Sequence, residues 1–152
     1  MHSIRVQEKD FSVHDEWNAC RERLGGKAGA VVSFIGLVRE RSETGNVSSL
    51  YLEHYPGMTE ASIEQIVLKA QKRWSLLDVV VIHRVGELPP EDQIVLVIVA
   101  SAHRADAFAA CEFVMDLLKT EAVFWKKETS DGGSVWIEST KDDICRSEEW
   151  RK

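Results

Sequence analysis

The basic side chains between residues 101 and 128 are the part of this sequence best suited to chemistry. The segment reads SAHRADAFAACEFVMDLLKTEAVFWKKE, and its basic residues are His103, Arg104, Lys119, Lys126 and Lys127. The protein as a whole is acidic, with a formal net charge of −6. A cationic cluster on an acidic protein favours a specific site for a small anion over a general surface for polyanions. The acidic balance also disfavours nucleic acid as a partner.

His103 and Arg104 are candidates for an anion pocket because they follow an apolar run, Ile94 to Ala100, and precede a helical pattern. The first backbone N–H groups of a helix and its dipole favour a phosphate, and an arginine adds a bidentate clamp. The alternative is a surface His-Arg pair that only caps the turn. The residues alone leave both interpretations open.

The lysines are candidates for proton transfer or nucleophilic attack. If residues 124–128 form a strand, Lys126 shares a face with Phe124 and points away from Lys127. A lysine beside an apolar ring and near other cations has a depressed pKa, which suits either role. The alternative is an edge strand whose lysines are solvated and block aggregation.

Arg104 and Lys119 lie too far apart for one small ligand on one straight helix. Fifteen residues of helix separate them by about 22 Å. The cluster converges only if the site lies between two copies of the chain, or if the ligand is extended. Arg39, at the end of an earlier predicted strand, is a further candidate for a ligand contact.

The elements that position these residues mix helices and strands without strict alternation, which predicts an α+β fold. Thr59 and Ser101 are the predicted N-caps of the second and third helices. The polar segment 40–46 is predicted to be a mobile loop, and one domain over 1–140 is followed by a charged, flexible tail over 141–152. Helices are predicted over 13–24, 59–74 and 103–120, and strands over 28–38, 47–55, 79–85, 94–100, 124–129 and 135–138.

Composition narrows the class of protein further. The three cysteines, Cys20, Cys111 and Cys145, are widely spaced and odd in number, which argues against a disulfide framework. Cys111 lies on the apolar stripe of the third helix and is predicted to be a core residue. The histidines lack metal-ligand spacing, so no metal and no cofactor are predicted. Apolar runs are too short to span a membrane, and we expect a cytoplasmic location.

Six blocks of the sequence resemble the large, catalytic subunit of molybdopterin synthase. They occur in order along most of the chain, and the EHYPGMTE block and the series HR, LKT and FWKKE are highly specific. The blocks are FIGLVR (34–39), LEHYPGMTE (52–60), IHRVGEL (82–88), SAHRADAF (101–108), MDLLKTEAVFWKKE (115–128) and VWIE (135–138).

The resemblance implies an α/β-hammerhead fold, with helices packed on a mixed sheet and a C-terminal β-hairpin, in a homodimer. Two small ubiquitin-like sulfur carriers would flank this dimer to make a heterotetramer. Each carrier would insert its Gly-Gly tail, ending in a thiocarboxylate, into a pocket of the large subunit. The substrate would be cyclic pyranopterin monophosphate, and two sulfur transfers would make the dithiolene of molybdopterin.

The resemblance also assigns roles to individual residues. Lys119 and Lys126 match the catalytic lysines, the first at the carrier's tail and the second at the pterin side chain. Residues that match the substrate pocket are Leu37, Val38, Arg39, His103, Arg104, Lys127 and Glu128. The chain departs from the usual pattern at Val123, where proline is common, and at Thr140, where a basic residue often stands.

Two other classes of function compete with this interpretation. One is a stand-alone phosphoester enzyme that uses His103 as acid and base. The other is a non-catalytic scaffold for a ubiquitin-like partner. A scaffold has no need of Lys119 and Lys126, whereas a phosphoesterase is expected to have a metal site or a covalent nucleophile.

Overall fold

Two β-sheets and four helices make up the part of the chain that the computed structural model describes, residues 1–42 and 45–152. This arrangement confirms the α+β class. The elements in chain order are β1 (His2–Gln7), α1 (Val13–Leu24), β2 (Ala30–Leu37), β3 (Arg41–Ser42), β4 (Gly45–His54), α2 (Met58–Arg73), β5 (Leu76–Arg84), β6 (Gly86–Leu88), β7 (Gln93–Ser101), α3 (Arg104–Leu118), β8 (Phe124–Ser130), β9 (Gly133–Ile137) and α4 (Lys141–Glu149).

The first sheet has the strand order β1-β5-β7-β2 and forms the centre of the molecule. Its two inner strands, β5 and β7, are buried along almost their whole length, as their apolar sequences predict. Val79 and Val81 face a core layer built with α2 and α3, whereas Val80 and Ile82 face a layer built with α1. The sheet is therefore covered by helices on both faces.

The second sheet has the order β3-β4-β8-β9, with β6 also paired to β4. The predicted hairpin of β8 and β9 is confirmed, and it pairs Lys126 with Ile137. The predicted loop over 40–46 contains paired residues instead, because Arg41 of β3 lies opposite Asn46 of β4. Positions 43 and 44 of that predicted loop lie outside the described residues.

The N-caps of two helices differ from the sequence-based prediction. Gly57, at φ 87°, is the N-cap of α2, and the Thr59 hydroxyl instead donates to the Val123 carbonyl at 2.6 Å. His103 is the N-cap of α3, and the Ser101 hydroxyl donates to the Ser75 carbonyl at 2.9 Å. Both hydroxyls are buried, so each one bonds across the fold rather than to its own helix.

The charged C-terminal segment also differs from its prediction as a flexible tail. Residues 141–149 form α4, whose Thr140 cap accepts from the Asp143 backbone N–H at 3.1 Å. Ser147 is buried, and the Trp150 ring packs edge-on against Trp74 and Phe113. Only a few residues of this segment pack against the rest of the protein, and its other positions are polar. Composition alone therefore indicated a loose tail.

Among the described residues, no helix has the length and apolar character needed to cross a bilayer.

Candidate active site

A cavity of about 870 Å³ brings together side chains from the end of β2, the end of α3, the β8–β9 hairpin and the start of α4. Such a volume accommodates a small-molecule ligand. Six of the residues predicted from the sequence line it: Leu37, Val38, Arg39, Lys119, Lys126 and Glu128.

Lys119 and Lys126 meet in this cavity although different elements carry them. Lys119 is the C-cap of α3, where its backbone N–H donates to the Met115 carbonyl at 3.3 Å. Its own carbonyl accepts a hydrogen bond from the Ser139 hydroxyl at 2.6 Å. Lys126 lies on β8, opposite Leu52 of β4. The short connection between α3 and β8 thus brings the two lysine side chains to the same cavity.

The environment of Lys126 favours its neutral form. Burial lowers the pKa of Lys126 from its ordinary value to about 8, the charge of Lys119 acts in the same direction, and Asp143 opposes them. The depressed lysine pKa predicted from the sequence is therefore present at Lys126. An amine with such a pKa is a competent proton acceptor or nucleophile near neutral pH.

His83 lies behind the lysine pair, and sequence reasoning did not identify it as a site residue. Its ring stacks on Phe124 with the centroids 4.1 Å apart, and its Nδ1 donates to the Arg84 carbonyl at 2.9 Å. Burial lowers the pKa of His83 to about 3, and the charges of Lys126 and Lys119 also lower it. His83 is therefore neutral at physiological pH and supports the strand that carries Lys126.

The chain enters β8 through a segment held by α2. The Val123 carbonyl accepts from Thr59 Oγ1 at 2.6 Å, and the Val123 N–H donates to Ser62 Oγ at 3.1 Å. Both backbone groups of Val123 are thus bonded, which fixes the start of the lysine strand without a proline at that position.

The cavity lining also includes charged residues that the sequence analysis did not single out. Arg41 is a fourth cationic side chain beside Arg39 and the two lysines. Glu138, Asp142 and Asp143 place carboxylates at the side formed by the C-terminal segment. The only sequence signal for these acids is that Glu138 ends the VWIE block and the two aspartates follow it closely. The cavity lining therefore combines cationic and acidic side chains.

Lys127 does not line the cavity of its own chain. Its Nζ lies 5.5 Å from the centre of the Tyr51 ring and 5.3 Å from that of Trp136. Successive side chains of a strand point to opposite faces, so Lys127 lies on the face of β8 opposite to Lys126.

His103 and Arg104 are also absent from the cavity lining. Both are exposed at the start of α3, whereas Lys119 is at its other end. The length of the helix, about 22 Å, separates the two groups within one chain. A single copy of the chain does not assemble the whole set of predicted site residues.

The surface beside the cavity is an unpaired strand edge with apolar side chains. In the described part of the chain β2 pairs only with β7, so its other edge is open. Phe34 and Leu37 on this strand are 40% and 54% exposed, and Phe108 of α3 is 62% exposed. A smaller cavity of about 450 Å³ is lined by Phe34, Phe108, Lys119 and their neighbours. Open edges with apolar side chains are typical of surfaces that another chain covers.

Comparisons with known proteins agree with one another. The sequence profile described as "MoaE protein" matches residues 6–121. The chain is 53% identical over 150 residues to the molybdopterin synthase catalytic subunit of Ralstonia nicotianae. The match covers 99% of this chain and 85% of that protein. The solved structure of the molybdopterin biosynthesis MoaE protein from Burkholderia ambifaria matches with a TM-score of 0.85 and 47% identity, over 100% of this chain and 99% of that chain.

A more distant structure has the same fold. It belongs to the complex of subunits 1 and 2 of the molybdopterin-converting factor from Helicobacter pylori. Its TM-score is 0.71 at 18% identity, with 88% of each chain covered.

Proposed function

This chain belongs to the MoaE protein family, the catalytic subunits of molybdopterin synthase, and we propose from this membership how its cavity carries out sulfur transfer. The chain is an enzyme subunit of molybdenum cofactor biosynthesis. We propose that the sulfur donor is the thiocarboxylate at the C-terminus of a small ubiquitin-like carrier, and that the acceptor is cyclic pyranopterin monophosphate. The observation that carries this proposal is the meeting of Lys119 and Lys126 in one cavity.

Lys119 is proposed to bind the end of the carrier tail. A thiocarboxylate is an anion, and the Lys119 ammonium at the end of α3 is a fixed positive charge for its carbonyl oxygen. When the sulfur bonds to the pterin side chain, the carrier becomes a thioester, and water then cleaves it to leave a carboxylate on the carrier. The first step neutralises the thiocarboxylate, whereas the attack of water on the thioester develops negative charge on the carbonyl oxygen, which a neighbouring cation stabilises.

Lys126 is proposed to act at the pterin side chain. With its pKa near 8, a substantial fraction of its amino groups is neutral under physiological conditions. The neutral amine can accept a proton from the substrate, and the resulting ammonium can return it to a leaving oxygen. Two such transfers would form the dithiolene and open the cyclic phosphate.

The phosphate and pterin are proposed to bind between two copies of the chain. Arg39 lines the cavity of one copy, whereas His103 and Arg104 lie at the far end of α3. The open β2 edge with Phe34 and Phe108 supports a homodimer, in which the second copy brings its His103, Arg104 and Lys127 to the first cavity. One carrier per copy would give a heterotetramer. The H. pylori chain of the same fold belongs to a complex of two different subunits, which agrees with the proposed partner subunit.

Two alternatives explain less of the geometry. A scaffold that only docks a partner does not require a lysine with a depressed pKa in a cavity. A phosphoester enzyme based on His103 would place its acid and base on an exposed helix start, away from the large cavity.

The three free cysteines are compatible with the proposed cytoplasmic location.

The direct test is reconstitution. The purified chain is mixed with thiocarboxylated carrier and cyclic pyranopterin monophosphate, and molybdopterin is quantified by mass spectrometry. We expect product in proportion to the thiocarboxylate consumed, and none when the carrier ends in an ordinary carboxylate. A chain that binds the carrier but forms no product would overturn the proposed function.

The proposed contact between Arg104 and the substrate phosphate is tested with a variant of that residue. Arg104→Ala is expected to weaken substrate binding by about 1.5–3 kcal/mol, because it removes a charge-assisted clamp, and to leave carrier binding unchanged. Equal losses of both affinities in calorimetry would contradict the assignment of Arg104 to the phosphate.

A further inference from the structure

The C-terminal segment contributes a carboxylate to the lysine pair. Asp143, on the first turn of α4, lines the large cavity together with Lys119 and Lys126. It also lines the smaller cavity, where Lys119 is again a neighbour. Asp143 and Lys119 thus both line the two cavities, and the half-buried carboxylate of Asp143 is near enough to Lys126 to influence its charge.

A buried carboxylate on α3 holds the helix that carries Asp143. Asp116 accepts hydrogen bonds from Arg146 Nε at 2.9 Å and from Trp150 Nε1 at 2.7 Å. The Asp116 backbone carbonyl accepts from the Ser147 hydroxyl at 3.0 Å, and that hydroxyl lies 2.7 Å from Thr120 Oγ1. We call these contacts of Asp116 with α4 the Asp116 clasp. Because Asp116 is one helical turn before Lys119, the clasp joins α4 to the end of α3 that presents Lys119.

An aromatic cluster also anchors the C-terminal end of α4. The Trp150 ring lies 5.7 Å from Trp74 and 5.5 Å from Phe113, in edge-on geometry. The Arg73 guanidinium lies over the same three rings and donates to the Trp150 carbonyl at 2.5 Å. The helix is therefore fixed at its C-terminal end, and the hydrogen bond from the Ser139 hydroxyl to the Lys119 carbonyl at 2.6 Å holds the segment that leads into its first turn, so Asp143 has a defined position beside the cavity.

We propose that Asp143, carried by α4 and held in place by the Asp116 clasp, is a positioning residue that sets the charge balance of the Lys119–Lys126 pair. The inference rests on the proposed function only in that this pair performs the sulfur transfer. On this view the C-terminal helix is part of the active site rather than an appendage.

The charges around the pair explain why one carboxylate matters. Lys126 faces Lys119 of α3, and Arg39 and Arg41 line the same cavity from the β2 and β3 side. Glu128 of β8 and Glu138, Asp142 and Asp143 of the C-terminal segment are the acids of the lining, and His83 behind Phe124 is neutral. Among these acids, Asp143 is the one whose charge raises the pKa of Lys126 against burial and Lys119. Without the charge of Asp143 the pKa of Lys126 would be lower, so the neutral amine would become the dominant form at a lower pH.

The first test measures the protonation of Lys126 directly. Wild-type protein and Asp143→Asn are treated briefly with an amine-selective acylating reagent over a range of pH, and the Lys126 peptide is quantified by mass spectrometry. Asparagine keeps the size of the side chain and an oxygen that can accept from the Thr140 N–H. Labelling of Lys126 in Asp143→Asn should reach half its maximum at lower pH, with an initial rate at pH 7 at least about twofold higher.

The matched control is Asp131→Asn, which makes the same chemical change at the exposed turn of the β8–β9 hairpin. Its Lys126 labelling profile should coincide with that of the wild type. In the reconstituted reaction, the acid limb of the rate profile of Asp143→Asn should move to lower pH in parallel with its labelling profile. An Asp143→Asn labelling profile identical to that of the wild type would overturn the inference.

The second test addresses the clasp. Trp150→Phe keeps a ring in the aromatic cluster but removes the hydrogen bond to Asp116 Oδ2, and should move the Lys126 labelling profile in the same direction as Asp143→Asn, by a smaller amount. A wild-type profile in Trp150→Phe would overturn the role of the clasp. The labelling of Lys126 does not depend on sulfur transfer. If the wild-type chain forms no molybdopterin, the proposed function is wrong, but the labelling profiles still test the effect of Asp143 on Lys126.

Discussion

Lys126 and Lys127 are adjacent in sequence and have opposite surroundings. Lys126 is in the cavity, next to Lys119, and its pKa is lowered to about 8. Lys127 lies between the rings of Tyr51 and Trp136, whose faces attract its ammonium group. The alternation of the strand therefore places the two amines in different surroundings, one in the cavity and one against aromatic rings.

Lys119→Ala is expected to abolish sulfur transfer and to leave the fold intact. The side chain lies at a helix end, where a cation contributes under about 1 kcal/mol through the helix dipole. A cation positioned on a developing oxyanion contributes roughly 10²–10³ in rate. Thermal melting should therefore be near that of the wild type while molybdopterin formation at saturating carrier is almost lost. Turnover close to that of the wild type would show that Lys119 is only a solvated residue of the helix end.

Lys126→Met is expected to be inactive but more stable than the wild type at pH 7. The folded protein lowers the pKa of Lys126 from 10.5 to about 8, so folding opposes the charged form. Below about pH 8 both the folded and the unfolded chain hold the proton, and the full destabilisation is present. Between about pH 8 and 10.5 the unfolded chain binds more protons, so the contribution of Lys126 to the free energy of unfolding rises with pH.

The stabilisation by Lys126→Met should therefore shrink as the pH rises from 8 to 10.5, which calorimetry over this range can measure. The exposed Lys27 provides the control, since Lys27→Met should change stability by a similar small amount at every pH. A gain that is absent at pH 7, or that grows with pH, would contradict the assigned environment of Lys126.

At the scale of the elements, α4 is joined to α3 mainly through one carboxylate. Asp116 is 8% exposed and bonds to both Arg146 and Trp150. Arg146 also contacts Glu112, but there both side chains are more than half exposed. A buried carboxylate with two donors contributes far more than a solvated ion pair. The stability of this helix thus depends on residues that look unremarkable in the sequence.

Asp116→Ala is expected to lower the free energy of unfolding by about 1–3 kcal/mol, because it leaves the part-buried indole N–H of Trp150 without its acceptor. Urea unfolding followed by tryptophan fluorescence measures this change. Glu112→Ala removes the exposed partner of the same arginine and should cost under about 1 kcal/mol. Similar costs for the two variants would mean that the clasp does not stabilise α4 more than a surface contact does.

At the scale of the whole molecule, the proposed site residues lie at both ends of α3, and we propose that a second copy of the chain completes the site. Arg104 begins this helix and Lys119 follows its end, so one straight helix keeps them about 22 Å apart. The open β2 edge and the exposed rings of Phe34 and Phe108 offer a surface for that copy. In a two-fold dimer the same patch is used twice, so each cavity would receive the same set of partner residues.

Mixing two inactive chains should therefore restore activity. After subunit exchange between Arg104→Ala and Lys119→Ala, each mixed dimer would contain one site with both residues intact, giving roughly a quarter of the wild-type activity. The control replaces the first chain with the double variant Arg104→Ala, Lys119→Ala, for which no recovery is expected. An absence of recovery after exchange has been verified by mass spectrometry would contradict a shared site.

The features that the sequence alone determined depend on short-range patterns. The apolar runs of β5 and β7, the stripe that buries Cys111, and the β8–β9 hairpin all follow from periodicity and turn residues within about a dozen positions. The family blocks identified Lys119 and Lys126, and strand alternation placed Lys126 beside Phe124. These features were predictable because neighbouring residues alone define a pattern of burial.

The remaining features were decided by contacts between residues far apart in the chain. Thr59 bonds to Val123 instead of capping its helix, and Asp116 bonds to Trp150, which turns a charged segment into a docked helix. The same packing brings Asp143 to the lysine pair and leaves Arg104 at the far end of α3. A buried polar group bonds to whichever partner the tertiary fold brings within reach, and no local pattern in the sequence contains that information.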